Sequence, residues 1–531
     1  MFDYIIKNCE IFDGSGEPPF PGDVAVKGDI IADIGNIETK NAREIIDGSW
    51  LSLAPGFIDV HSHGDQGVLV NPESESKIRQ GITTHIAGQC GSSPFPLRGV
   101  ALESFRESMA KSGLDVDWQT VEEYFEKVEK LRPAANMAIF VGHGAIRKSV
   151  IGEKDIKPDQ AILDKMREEV RRAMKAGALG MSTGLIYTPS CFADMNEIVY
   201  LAEEVAKNGG IYASHIRGEG DTLIEAVKEA LEIGRRSGCP VQISHLKASA
   251  PRNWGKVKEA IELIEQAEQE GMDVAFDKYP YTAGSTSLDT YLPLWVLQKG
   301  VDGMIEHLSD PETRKKIFEE AENLNEGEKK WESVVIISAG CEEYSEYEGF
   351  NLKEIAEKKN ESIKDTFSEI LIKSRAEADI ICHTQSWPDT DMALLHRLGL
   401  VCTDSGIWAP YGPLSRIKPH PRAYGSFPSF LNRHIRKTQA LQPKEAIHKI
   451  TGQSAKRFGL KARGEIKKGF FADLVLIDWE NLADKATYTD PHRYPSGIEG
   501  VFVNGKPVLW KGMRTDYKTG RILKKNGDVA G

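Results

Sequence analysis

The sequence predicts an α/β fold: a (β/α)8 TIM-like barrel with a small β-sandwich formed from both chain termini and an insertion between the seventh and eighth barrel strands. Three observations predict it. Through the middle of the chain, short apolar strands alternate with amphipathic helical stretches. Eight of those strands end in polar or reactive residues, as in a barrel whose chemistry sits at the C-terminal face of its strands. Both ends of the chain are instead rich in short β segments broken by Gly, Asp and Asn.

Residues 3–7, 23–26 and 30–34 read as strands of a small antiparallel sheet. Residues 472–478 resume the pattern, and 501–508 form a hairpin around Asn504-Gly505, a strong short-range turn signal. A β-sandwich domain is therefore expected from residues 1–54 and 465–531, with the barrel over 55–464. The barrel strands fall at 57–63, 83–90, 138–143, 180–185, 211–215, 241–245, 273–281 and 399–404. Helices over 159–176, 195–207, 222–237 and 253–269 place Leu, Ile, Val and Ala on one face. Residues 283–398 are too long for one barrel helix. Their further signals, a helix over 306–319 and strands at 334–339 and 380–383, imply an inserted subdomain covering the site.

Composition narrows the function. There are 67 Lys+Arg against 79 Asp+Glu, a formal charge of −12, which disfavours nucleic acid and anionic membrane as partners. No apolar run approaches the ~18 residues of a membrane-spanning helix. The start of the chain lacks the features of a secretion signal, and the seven cysteines are scattered rather than patterned. A cytoplasmic enzyme with a small-molecule substrate is the expectation.

The histidines carry the strongest chemical signal. Pro55-Gly56-Phe57-Ile58-Asp59-Val60-His61-Ser62-His63 is an apolar strand ending in His-x-His, and strand alternation turns both imidazoles the same way. His215 and His245 end two later strands. Any one of them reads equally well as a hydrogen-bonded core histidine. Four at three strand ends read as metal ligands, because buried imidazoles need partners. Cys90, in Gly88-Gln89-Cys90-Gly91, is a small buried apolar residue on one reading and a thiolate ligand on the other. Its Gly-rich turn at the same barrel face favours the ligand, and imidazole plus thiolate suits Zn2+. Asp404, ending the eighth strand, is a turn or helix-cap aspartate, a metal ligand, a general base, or both of the last two. His143 is a supporting residue at the third strand's end. His85, His307, His383, His396, His434, His448 and His492 read as structural or surface residues, and His420 stands outside the metal set.

These residues resemble the metal-dependent amidohydrolase superfamily, and within it the N-acyl-D-amino-acid deacylase (D-aminoacylase) family. The narrower likeness rests on Gly88–Gly91, Ser244-His245-Leu246-Lys247, Tyr279-Pro280-Tyr281-Thr282 and His420-Pro421-Arg422-Ala423-Tyr424-Gly425, and it extends to residues 464–473. The resemblance implies a zinc ion bound by Cys90, His215 and His245, with His61 and His63 forming a second, weaker position near a catalytic Asp404. It implies hydrolysis of N-acyl-D-amino acids, with Asp404 as general base and acid. Lys247, Tyr281 and Arg422 are implied to bind the substrate carboxylate. Many relatives carry a bridging lysine at the end of strand four; this chain has Gly180–Tyr187 there without one, as expected of the cysteine-ligated branch. Residues 404–420 are longer and richer in Pro and Trp than the family pattern, which leaves acyl and side-chain preference open.

The alternatives are a cyclic-amide hydrolase of the dihydroorotase or hydantoinase type, which typically uses the missing lysine, and a dipeptidase acting on C-terminal D-residues. A non-catalytic scaffold is disfavoured, because His61, His63, Cys90, His215, His245 and Asp404 are all present.

Overall fold

The computed structural model describes residues 1–324, 329–525 and 527. Its centre is a ring of parallel strands in sequence order. The first three, Phe57–Asp59, Ile82–Ala87 and Asn136–Ile139, form one sheet. The third strand breaks at Phe140 and continues as Val141–Gly142, which pairs with Gly180–Gly184. From there Ile211–His215, Val241–Ile243, Val274–Lys278 and Gly399–Val401 follow edge to edge. A parallel bridge between Ser62 and Ser405 joins the eighth strand to the first.

The helices Gln160–Ala176, Met195–Lys207 and Leu223–Ser237 fall where the apolar spacing predicts, and their ends have local causes. Gln160–Ala176 is capped by Asp159, whose carboxylate accepts from Ile162 N at 2.9 Å, and it stops at Gly177 with φ 113°. Leu223–Ser237 buries Leu223, Val227, Ala230 and Ile233 against the strands and ends at left-handed Gly238. The helix expected from residue 253 starts at Lys256, because Gly255 at φ 93° breaks the backbone there. The helix expected over 306–319 is two helices, Gly300–Ser309 and Pro311–Leu324. Pro311 disfavours helical geometry at Asp310, so the first helix stops and a second begins.

The insertion has a core of its own, including Leu288, Val296, Phe318, Val334, Phe367 and Ile380. An antiparallel sheet, ordered Gly284–Ser287, Asp379–Cys382, Val334–Ser338, faces the barrel mouth with its Gly284 end.

Both chain ends meet in one nine-stranded sheet, where Leu474–Ile477 runs antiparallel to Ser52–Pro55. The sheet is mixed rather than purely antiparallel, since Phe2–Ile11 runs parallel to Ala42–Asp47 and to Ser52–Pro55. Alternation along one strand joins two cores. Leu474 and Leu476 pack with Tyr4, Ile6 and Phe502, whereas Val475 and Ile477 pack with Phe427, Phe430 and Ile447 of the barrel helices. Asn504 and Gly505 both take positive φ, 47° and 77°, as a two-residue hairpin turn requires. No helix among the described residues is long and apolar enough to cross a membrane.

Ring closure depends on a fully buried lysine. Lys77 Nζ, on the short helix Glu75–Ile78, donates to Asp59 Oδ2 at 2.8 Å, Thr403 Oγ1 at 2.7 Å and Ser405 O at 2.8 Å. Asp59 in turn accepts from Thr403 N and Oγ1, at 2.8 and 2.6 Å. Removing one partner of a buried pair strands the other charge. Lys77→Met is therefore expected to lower stability by about 3–5 kcal/mol, measured as a shift in the urea unfolding midpoint. An unchanged midpoint would mean that the ring closes without this clamp.

Candidate active site

Six residues reach the barrel mouth from the ends of five strands. Three of them, Cys90, His245 and Asp404, have φ values of 52°, 35° and 48°. Non-glycine residues held there cost about 1–3 kcal/mol each, and such strain concentrates at functional sites. The Gly88-Gln89-Cys90-Gly91 motif has a steric reason. A Cβ on Gly88 would lie 2.0 Å from Phe140 O, and one on Gly91 would lie 2.7 Å from Gly184 N.

His61 and His63 do share one side, with ring centroids 5.4 Å apart. His61 is fully buried. Its Nδ1 meets Asp277 Oδ1 at 3.1 Å, which turns Nε2 toward Cys90 Sγ at 3.4 Å and Asp404 Oδ1 at 3.3 Å. His63 Nε2 lies 3.1 Å from the same Asp404 oxygen. His245 repeats the logic: Nδ1 faces Glu219 Oε1 at 3.0 Å and Lys247 Nζ at 2.7 Å, while Nε2 faces Cys90 Sγ at 3.4 Å. His215 lies edge-on to His245, with centroids 4.4 Å apart, and neither of its buried ring nitrogens has a hydrogen-bond partner among the described residues.

The donor atoms gather in two groups that share His245. One is His61, Cys90, His245 and Asp404; the other is His215, Glu219 and His245; in each, the atoms lie within 4.8 Å of one another. Thiolate, imidazole and carboxylate donors so close together, with both His215 nitrogens unsatisfied, fit a divalent transition metal.

The charges are arranged for ionised ligands. Burial opposes ionisation of Cys90, but His61 and His245 outweigh it and hold the thiol well below its ordinary range. Burial likewise opposes charge on Asp404, and Arg422, His245 and His61 hold its carboxyl well below the usual carboxylate range. Asp277 stays anionic for the same reason, with His61 as its main counter-charge.

A cationic wall faces this cluster. Arg422 is buried at the start of the helix Arg422–Leu431, and its Nη1 lies 2.7 Å from Asp404 Oδ2, close but not aligned as a hydrogen bond. Its guanidinium sits 4.6 Å over the Tyr279 ring. Lys247 is paired with Glu219. Of the two tyrosines in the Tyr-Pro-Tyr segment, Tyr279 lines the cavity and Tyr281 does not; the Tyr281 hydroxyl is aimed at Asp484 Oδ2, 3.4 Å away. Tyr-Pro-Tyr puts two similar rings two residues apart, and sequence had no signal to separate them. His420 stays out of the metal groups: its Nδ1 accepts from Arg422 N at 2.9 Å and its Nε2 meets Ala283 O at 3.1 Å.

Several working residues were not foreseen. Asp277 also accepts from Gln242 Nε2 and from His245 N, both at 2.8 Å, so it orients two ligands at once. Glu219 stands four residues after His215, a spacing that could have exposed it. Gln385, from the insertion, accepts from Lys278 through Oε1 and donates Nε2–H to Tyr279 Oη at 2.8 Å. That leaves the phenol's own proton free to point elsewhere. His143, expected as a supporting residue, lies behind the wall between Ser190 Oγ at 2.9 Å and Glu197 Oε1 at 3.0 Å.

The profile of the Amidohydrolase family matches residues 44–324 and 412–509. The D-aminoacylase of Alcaligenes xylosoxydans xylosoxydans is 32% identical over 99% of this chain and 98% of its own. The N-acyl-D-glutamate deacylase of the same organism is 32% identical over 100% and 98%. The crystal structure of the N-acyl-D-glutamate deacylase from Bordetella bronchiseptica superimposes with a TM-score of 0.84 at 30% identity, covering 98% of this chain and 99% of that one. That structure holds zinc and a phosphonate inhibitor that mimics the tetrahedral intermediate of its reaction. The chain belongs to the amidohydrolase family. Within it, the chain falls with the D-aminoacylases and N-acyl-D-amino-acid deacylases.

Asp277→Ala leaves four buried groups, His61 Nδ1, Gln242 Nε2, His245 N and Cys402 Sγ, without their partner, at a cost of about 1–3 kcal/mol for each strongly bonded donor. A clear drop in the urea midpoint is expected, with a smaller drop for Asp277→Asn, which keeps one acceptor oxygen. Equal midpoints for both variants and the parent would show that the carboxylate orients nothing.

Proposed function

We propose that this chain is a zinc-dependent hydrolase that cleaves the amide bond of N-acyl-D-amino acids to a carboxylate and a free D-amino acid. The observation that carries the reading is the thiolate–imidazole–carboxylate cluster facing Arg422, Lys247 and Tyr279 across one cavity. The relatives named above act on N-acyl-D-amino acids, and one holds zinc.

Cys90, His215 and His245 would hold one zinc ion, and His61, His63 and Asp404 a second, weaker position. Cys90 Sγ stands 3.4 Å from Nε2 of both His61 and His245. Zinc supplies Lewis acidity toward the acyl oxygen and toward water. Asp404 takes the proton of the attacking water at Oδ1 or Oδ2 and returns it to the departing nitrogen, which is a poor leaving group until protonated. His63 fixes one oxygen of that carboxylate.

Arg422 grips the substrate's α-carboxylate, aided by Lys247 and by the free proton of Tyr279. Because Arg422 is also the main cation depressing Asp404, engaging a substrate carboxylate draws its charge away and raises the basicity of Asp404 when substrate is in place. A linear substrate with a free carboxylate uses all three groups; a cyclic amide without one leaves them idle. All seven cysteines are free, which supports a reducing cytoplasmic setting.

Asp404→Asn is expected to lower kcat by about 10²–10⁴ while metal per chain, measured by mass spectrometry, stays near the parent's. Near-parental turnover would remove Asp404 from proton transfer. Chelation should abolish hydrolysis of N-acetyl-D-methionine and N-acetyl-D-glutamate, and added zinc should restore it. Turnover of a hydantoin alone, or equal turnover of the L-enantiomers, would overturn the assignment.

A further inference from the structure

We propose that the natural acyl group is a medium-chain fatty acyl, held in an apolar arm of the cavity over the second, third and fourth barrel strands. This deepens the deacylase reading and rests on it.

Strand order sets the direction of the substrate. Lys247, Tyr279 and Arg422 follow the sixth, seventh and eighth strands, so the α-carboxylate is held on that side of the mouth. The reacting amide lies at the central cluster. In a ring of eight, the loops after strands two, three and four stand opposite those after six, seven and eight. The acyl group, on the far side of the amide from the carboxylate, therefore runs over strands two to four.

The cavity extends that way, and its volume is about 650 Å3. At roughly 30 Å3 per water this is the space of about twenty waters. An N-acetyl amino acid, with about a dozen non-hydrogen atoms, leaves nearly half of it unfilled.

The wall of this arm mixes apolar side chains with the hydroxyls of Ser92, Ser93, Thr188 and Ser190. Pro96 and Leu97 come from the loop after strand two, and Ile186 and Pro189 from the loop after strand four. Between them stands the helix Val100–Ala110, which turns Ala101, Ser104, Phe105 and Ser108 to the cavity. That is the i, i+3, i+4, i+7 spacing of one helix face. Three of the four are small, so the helix stands back and leaves length. Phe105 supplies a greasy floor, held edge-on to Trp118 at 5.9 Å. The cation on this side, Lys148, is already paired with Glu153 at 2.6 Å, so the arm offers no free charge to an ionic acyl group. Burying additional methylenes is what such a wall rewards.

The test is a series of N-acetyl-, N-butanoyl- and N-octanoyl-D-methionine and the same series on D-glutamate. On the better D-residue, kcat/KM should rise from acetyl to octanoyl by roughly ten-fold or more. Ala101→Trp and Ser104→Trp, each with its thermal midpoint checked, should lower the octanoyl-to-acetyl ratio by about ten-fold. Ser104 is half-buried, so its variant decides the matter if Ala101→Trp fails to fold. A parent enzyme that prefers acetyl, or a ratio unmoved in a folded variant, overturns the proposal and leaves the deacylase reading intact. Variants that change discrimination between D-methionine and D-glutamate instead of acyl length assign the arm to the side chain and overturn it as well. No turnover of any member overturns both readings.

Discussion

Closing the ring forces two segments 341 residues apart in sequence to share one hydrogen-bonded seam. Lys77, Asp59 and Thr403 form that seam below the surface, and Asp404 N donates to His61 O at 2.8 Å just above it. The catalytic face depends on this closure. Asp404 sits at φ 48° because the backbone on both sides of it is bonded to the first strand: Thr403 N to Asp59, and Ser405 O to His63 N at 3.0 Å. A carboxylate on a free loop would relax out of that conformation. Here the fixed ends hold it against the two histidines of strand one. The strain and the site have the same cause.

Around the cluster, each ligand is held by a second group that fixes which atom faces inward. Asp277 occupies Nδ1 of His61, and Glu219 with Lys247 occupies Nδ1 of His245, so both rings present Nε2 to the Cys90 sulfur. Such outer partners set tautomer and basicity as well as direction. Cys90 and Asp404 fall in one donor group and Glu219 in the other, with Arg422 facing Asp404 and Lys247 facing Glu219. Each group opposes its own burial, so the cluster is stable only with its counter-charges in place. A metal ion completes that balance.

The fold was legible because its rules are local. Apolar strands followed by amphipathic helices, Asp159 and Gly177 bounding one helix, and Asn504-Gly505 turning a hairpin all act within a few residues. The histidines and the cysteine of the cluster stood out for a related reason, since His-x-His and a cysteine in a Gly-rich turn are awkward choices for packing alone. The supporting residues were hidden. Asp277 and Lys77 look like ordinary charged residues until the ring closes around them, and Tyr279 differs from Tyr281 only in which way its strand end points. Pairings such as Gln385 with Tyr279, 106 residues apart, come from tertiary approach, and no spacing announces them.

That pairing also explains why the insertion is more than a cover. Gln385 accepts from Lys278 through its oxygen, and its amide nitrogen faces Tyr279. The phenol then accepts from Gln385 and keeps its own proton to donate. Lys278, fully buried and 4.0 Å over the same ring, has no carboxylate partner among the described residues; burial and then Lys247 push its pKa well below the ordinary lysine range. Lys247 and Arg422 line the cavity on this side and Lys278 does not, and the phenol of Tyr279 is aimed by a residue of the insertion. The cationic wall of the cavity is thus built jointly by the barrel and its insertion.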